Sequence, residues 1–553
     1  MNTNFCTLLP RIMVLFLIAA SPGLSNAQQA PKKTEASLAA VSTAEPIRLS
    51  EAHQKAVNRR RRIAVNFDVG YPANLFGIDV NEWVDFRFAY ADQPGSQIDS
   101  LWWCLDEGNL AYYPSDVLPV TQCPQMRKWL DNDIDIMKVI VDECHKRGIE
   151  CFHTHRLNGY DGEWDLAGTL VRPYAHPLKD KHPEWLIDGR WGPGALWDFA
   201  YEGVRVFKVA TLRELAENYD LDGIDINFAR HPPCLAPGRQ WENRDAMTDF
   251  VRRVRIALQE VAAERGRPIL LSVQVPSTVA GCHFDGYDVE TWVRQNLVDI
   301  FVVGTHSFDV EIQEFKRITA GKNIKIYPCM DDHHHEPSGY RSPPIEVERG
   351  YAANWWHQGA DAMFTFNWAN ASLEASKAIG FPERPNAHGQ AYCEIGDPEA
   401  LRLKNKTFVV TRRFGGGFAT WAGGKKWDFY HNMNIEAPLP MPLKAGSMPA
   451  ILRVYVADDL AAAADHVENG ELRVHLSGAD AGDELQVKLN GVRQPVGTVD
   501  GDRWCRFQPD PRHLAVGPNL VYLHLGAQAA AESPPVMIEK LEVQVTYRDG
   551  DRP

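Results

Sequence analysis

Cysteine-pair motifs are missing from this chain. No two of its 10 cysteines stand in a Cys-x-x-Cys arrangement, which removes the zinc-ribbon and thiol-redox readings that such a pair would support. Long apolar runs are missing as well: past the first segment, nothing reaches the roughly 20 apolar residues of a membrane helix. Positive charge is in deficit. The formal net charge is −14, and a phosphate backbone needs a basic surface, so nucleic acid is not expected as a partner. The one basic run, Arg59-Arg60-Arg61-Arg62, reads as a solvated approach to the first strand. A glycine-rich phosphate turn is absent too. The segment Phe67-Asp68-Val69-Gly70-Tyr71 lacks that spacing, so neither a dinucleotide fold nor any cofactor is implied.

What is present begins with an export signal. Arg11, an apolar run from Ile12 to Ala20 and the small residues ending Ser25-Asn26-Ala27 follow the charged, apolar, small order of a secretory leader. Residues 1–27 are therefore expected to be removed, leaving a periplasmic or secreted protein. Nine cysteines follow Ala27, an odd number that cannot pair completely within one chain. Residues 28–58 read as a disordered linker. At 553 residues, 44% hydrophobic and 24% charged, the chain has material for two or more globular domains.

From residue 59 to 375, strand and helix patterns alternate. Strands are expected at 63–68, 100–105, 150–155, 224–228, 269–275, 299–304, 325–330 and 362–366, with helical spacing over 131–146, 204–219 and 245–265. Eight such units predict a (β/α)8 TIM barrel. Residues 376–436 extend it, and the proline-rich stretch 437–450 links it to residues 451–553. There, short alternating runs such as Leu485, Val487 and Leu489 before Asn490-Gly491 predict a C-terminal antiparallel β-sandwich.

Working residues of such barrels sit at the carboxyl ends of the strands. In Ile224-Asp225-Ile226-Asn227-Phe228, the isoleucines share one parity and Asp225 and Asn227 the other. Collecting the expected inward parity at the strand ends gives Asp68, Asp106, His153, His155, Asp225, Asn227, Gln274, His306 and Asp331. A carboxylate inside a barrel needs a partner or a purpose, which singles out Asp225. Sixteen tryptophans, Trp368 and Trp164 among the candidates, offer flat apolar faces to sugar rings, so a carbohydrate partner is expected. The adjacent His333, His334 and His335 cannot aim three ligands one way, and no metal set is assigned.

The segment Asp222-Gly223-Ile224-Asp225-Ile226-Asn227-Phe228-Ala229-Arg230-His231-Pro232-Pro233 resembles the fourth strand of the glycosyl-hydrolase-like family 10 (DUF187-type) barrels of bacteria. His155-Arg156-Leu157-Asn158, His182-Pro183-Glu184-Trp185 and Glu394-Ile395-Gly396-Asp397-Pro398-Glu399 resemble the same group. The resemblance implies a glycoside-hydrolase-type barrel. It would place Asp where Asn227 stands, and an amide serves neither as nucleophile nor as acid. Glycoside hydrolysis needs two carboxyl groups flanking the scissile bond. Asp225 is the expected nucleophile or base and Asp331 the acid, on the argument that the fourth and seventh strands face each other; Glu107 is the reserve acid. Asp68, Asp106, His153, His155, Arg156, Asn158, Asn227, Arg230, His306 and Trp368 are the candidates for binding substrate. Two other readings compete: a sugar-binding barrel without catalysis, as Asn227 hints, and a metal-dependent hydrolase, raised by His153-Thr154-His155 and His306.

Overall fold

The computed structural model describes residues 41, 43–68, 79–106, 109–122, 124–158, 162–164, 170–173, 176–187, 195–229, 232–304, 307–331, 343–366, 368, 388–412, 437–478, 485–495, 497–526 and 536–548. Eight strands in it are parallel and close on themselves: β1 (Ile63–Asp68), β2 (Ile98–Cys104), β3 (Glu150–Arg156), β4 (Gly223–Asn227), β5 (Leu270–Val275), β6 (Ile300–Val303), β7 (Lys325–Asp331) and β8 (Met363–Phe366). They run round in the order β1-β8-β7-β6-β5-β4-β3-β2, which is the (β/α)8 barrel that the alternating pattern requires.

The helices form where apolar spacing and caps agree. In α2 (Ile136–Lys146), Asp135 accepts from the backbone N–H groups of Met137 and Lys138, and Ile136, Met137, Ile140, Val141 and Cys144 are buried. The helix α3 (Glu202–Asn218) follows β3, and α4 (Arg244–Arg265) follows β4 and ends on the left-handed Gly266. Ahead of the barrel, α1 (Glu51–Val57) brings Val57 into the interior cluster and plugs the amino-terminal end of the barrel.

Inside, the lower half is apolar. Trp102 stacks on Phe152 with centroids 4.4 Å apart and meets Phe364 edge-on at 4.8 Å. Leu270, Ile300 and Tyr327 complete that floor from three further strands. Gly223 is forced by it: a Cβ there would lie 2.2 Å from the Phe152 ring.

After the barrel come two antiparallel sheets. One runs β9 (Lys406–Val409), β18 (Val536–Tyr547), β12 (Val467–Ser477), β16 (Trp504–Phe507), β15 (Thr498–Val499), with β10 (Met441–Leu443) also on β18. The other runs β11 (Ala450–Val456), β17 (Gly517–Leu525), β13 (Leu485–Leu489), β14 (Val492–Arg493). Alternate residues such as Leu452, Val454, Leu472, Val474, Val521 and Val543 are buried between them. The sheets are tied to the barrel through α5 (Ile345–His357), whose Gly350 lets the Thr407 backbone approach: a Cβ would fall 2.2 Å from its carbonyl oxygen. The strand β9 therefore joins a sheet from the stretch that the sequence reading treats as an extension of the barrel. Among the described residues, no helix is long and apolar enough to cross a membrane.

Candidate functional site

Above the apolar floor the barrel interior becomes polar along one wall. Strand register stacks the side chains in layers: Phe152, Gly223 and Leu270 lie in the floor, Thr154, Asp225 and Ser272 align above them, and Arg156, Asn227 and Gln274 align above those. Asn66 joins from β1, donating to the Thr154 hydroxyl at 2.9 Å and to the Trp102 carbonyl at 3.2 Å. The opposite wall is Val302, Cys329, Phe364 and Phe366. The Arg156 guanidinium sits 6.0 Å from the Phe366 ring.

Asp225 lies in the middle of the polar wall with no exposed surface. Gln274 Nε2 donates to its Oδ2 at 2.6 Å, while its Oδ1 has no hydrogen-bond partner among the described residues. Burial pushes its carboxyl up to about 7, and the Gln274 amide with the Ser272 and Thr154 hydroxyls pulls only partly against that. Among the described residues no cation pairs with it. Such a group is a proton carrier poised near neutral pH, the state that acid–base catalysis uses.

His153 and His155 are not in this interior. Thr154 pairs with Asp225 and faces in, so the histidines on either side of it face out, behind β3. There, the Asp106 Oδ2 accepts from His153 Nε2 at 2.9 Å and also from His155 Nδ1. On its far side His155 Nε2 meets Lys208 Nζ of α3 at 3.4 Å, and Lys208 reaches Asn109 Oδ1 at 3.3 Å. The Tyr113 ring closes over His153 edge-on, 6.4 Å between centroids. Burial works to raise Asp106, but the two imidazoles win and hold it far below the usual carboxylate range. Burial and Lys208 lower His155 to about 4 against the pull of Asp106.

Asp106, His153 and His155 bring three ligand atoms within 4.8 Å of one another, which is a metal-sized cluster. With Lys208 donating to Nε2, the ion-free arrangement gives His155 its proton on Nδ1, toward Asp106, and a metal would have to displace that proton. The cluster links Asp106 through His155 to Lys208, with opposite charges at its ends.

The other candidates fall as follows. Arg156 and Asn227 are in the polar wall with Asp225. Asn158 instead ties two loops together, donating to the Pro233 carbonyl at 2.9 Å and accepting from Trp197 N at 2.8 Å. Trp368 is a buried core residue: its Nε1 donates to the Met330 carbonyl at 3.0 Å and its ring stacks on His388 at 4.5 Å. Asp68 ends β1 and Asp331 ends β7, paired in register with Cys104 and Phe366; their side chains lie outside the described residues. Glu107, Arg230, His306 and the His333–His335 run also lie outside the described residues. Directly across the barrel from β4 stands β8; β7 is three strands round. That corrects the expectation that β4 and β7 face each other. Thr154, Ser272 and Lys208 were not singled out from sequence. A signal existed for Lys208, which falls on the buried stripe Val204, Lys208, Thr211, Leu215 of α3.

No family model matches the chain, and no curated protein matches it. Solved structures do. An α-L-fucosidase isoenzyme 2 from Paenibacillus thiaminolyticus aligns with TM-score 0.38 at 12% identity over 63% of this chain and 51% of its own. The GH36 α-galactosidase AgaA from Geobacillus stearothermophilus, in complex with stachyose, gives 0.34 at 11% over 90% and 58%. The PgaB (BpsB) glycoside hydrolase domain from Bordetella bronchiseptica gives 0.37 at 9% over 61% and 99%. This chain thus spans about half the length of the fucosidase and little more of the galactosidase. Likeness at that level assigns no activity.

Proposed function

We propose that this protein is an exported glycoside hydrolase that cleaves an oligo- or polysaccharide at the mouth of its barrel, in line with its resemblance to the family 10-like barrels. The observation that carries the reading is Asp225: a carboxyl group inside the barrel, on the polar wall, held by neutral donors and without a counter-charge among the described residues. A barrel that needed only stability would fill that position with an apolar side chain. With its carboxyl raised to about 7, Asp225 suits the proton donor that protonates the leaving oxygen better than the nucleophile. Arg156 and Asn227, one layer nearer the mouth, are placed to hold hydroxyl groups. The second carboxyl belongs to a strand end, with Asp331, Asp68 and Glu107 as its candidates.

The test is release of reducing ends by the intact chain from a panel of neutral and anionic polysaccharides. Activity that disappears with Asp225→Asn supports the reading. No release from any member, or release that survives the substitution, rejects it. Affinity for a glycan without turnover would favour a binding barrel instead.

A further inference from the structure

The two sheets after the barrel treat charge on their outer faces differently. On the six-stranded sheet, cations are answered by carboxylates: Arg473 by Glu542, Arg506 by Glu471 and Asp500, Arg412 by Glu539. On the four-stranded sheet, Lys488 and Arg493 have no such partner among the described residues. Register aligns Ile451, Tyr522, Lys488 and Arg493 in one row across β11, β17, β13 and β14. The next row pairs Arg453 with Leu520, and His524 pairs with Gln486 on the other side. These residues share the parity opposite to the buried Leu452, Val487, Val521 and Leu523, so they form the outer face. Among the described residues this face carries no carboxylate, and the Lys488 and Arg493 side chains make no hydrogen bond or ion pair.

Apolar surface lies among these cations. Ile451 is 53% exposed and Leu520 41%, and the Tyr522 ring lies between Ile451 and Lys488 in the row. Three interstrand spacings make the row about 14 Å wide. In a chain of net charge −14, a basic face on which Lys488 and Arg493 have no carboxylate partner among the described residues is a local exception that attracts an anionic partner. At one end Arg453 is answered in part by the half-buried Asp309, which it attracts. Asp309 belongs to the segment after β6, on the carboxyl-terminal rim of the barrel, so the basic face adjoins the side from which substrate enters.

We propose that this face binds an anionic glycan, sulfated or uronate-containing, with Lys488 and Arg493 on its acidic groups and Tyr522, Ile451 and Leu520 beneath its ring faces. The glycan identity rests on the hydrolase reading; the anionic character rests on the face itself. Three cations interleaved with apolar side chains suit sugar rings bearing scattered acids. A nucleic acid or a lipid surface recruits a denser basic cluster.

Native gel electrophoresis of the full chain through dextran sulfate, and through neutral dextran, is the experiment. Retardation by dextran sulfate alone is expected, weakened about tenfold in Lys488→Gln/Arg493→Gln, since each exposed contact contributes modestly. Both residues are exposed, so the fold survives. Absence of retardation, or equal retardation of the double variant, overturns the proposal. So does equal retardation by poly(A) RNA or phosphatidylserine vesicles, which would make the face a general polyanion surface. Sugar release without retardation rejects this face and leaves the hydrolase reading standing. Retardation without sugar release from any polysaccharide does the reverse.

Discussion

Asp225 inside the β4 wall and Asp106 behind β3 both lose all contact with solvent, yet their surroundings drive them in opposite directions. Asp106 receives two imidazole N–H groups, with the Lys208 ammonium beyond one of them, and is held ionised. Asp225 receives one amide N–H and faces hydroxyls, and its carboxyl is pushed up to about 7. Burial is common to both, so burial does not decide the charge. The supply of donors and of opposite charge does. Asp106 is furnished as a structural ion, whereas Asp225 is underfurnished, and that costs stability a protein keeps only for a use.

The sharpest way to break this contrast is to remove each charge in turn. Asp225→Asn should lower glycoside turnover by about 10²–10⁴-fold, the contribution of a positioned acid or base, while thermal unfolding stays at or above the wild-type temperature. A variant with near-normal turnover would make Asp225 a second structural group and end the contrast. Asp106→Asn should do the opposite. It takes the carboxylate away from both histidines, and breaking a buried pair costs about 3–5 kcal/mol, read by urea unfolding. A loss below about 1 kcal/mol would show that the cluster is not a structural ion pair.

Much of this was legible in sequence, and the misreadings have a physical cause. The eight strands announce themselves as apolar runs ending in polar residues, and Asp225 could be aimed correctly because Ile224 and Ile226 reserve the other face for the helices. The His153-Thr154-His155 stretch defeats the same logic. Both of its faces are polar, so parity yields two sets without saying which one turns inward. Phe152 decides it, because its ring is needed in the floor against Trp102, a contact between strands that no single-strand pattern contains. Trp368 misleads for a related reason: its place at a strand end reads as a sugar platform, but His388 and Tyr392, twenty and more residues on, cover it.

The pH dependence of stability gives a third test with a smaller effect. Asp225 has its folded carboxyl raised to about 7. Between about pH 4 and 7 the native state therefore keeps a proton that the unfolded chain has released, and stability falls as pH rises, by about 4 kcal/mol in all. His155 is lowered to about 4. Between about pH 4 and 6.5 the unfolded chain holds a proton that the native state lacks, so its contribution rises with pH, by about 3 kcal/mol. The two slopes oppose each other, and His176, lowered to about 4 by burial and the nearby Lys208 and Lys179, adds a second rising one, so the wild type should gain stability as pH rises through that window. Asp225→Asn removes the falling slope and should steepen the rise in urea midpoints taken across it. Parallel curves for the two proteins would mean that Asp225 ionises normally. Asp106, held far down, loses its contribution only in more acidic solution.

The smallest expected effect comes from the single hydrogen bond that Asp225 accepts from a side-chain amide. Gln274 Nε2 donates to Oδ2 at 2.6 Å and favours the ionised form. Gln274→Met keeps the length of the side chain and withdraws the donor, so the Asp225 carboxyl should move further up, by about one unit for a bond of ordinary strength. An acid that stays protonated to higher pH extends activity in that direction, so the alkaline limb of kcat/KM should shift upward by the same amount while the rate at the optimum changes little. The direction matters more than the size. A downward shift would assign Asp225 a donor other than Gln274. An unmoved limb would assign the limb to a different group, and the proton donor would then have to be sought among the carboxyls at the ends of β1, β2 and β7.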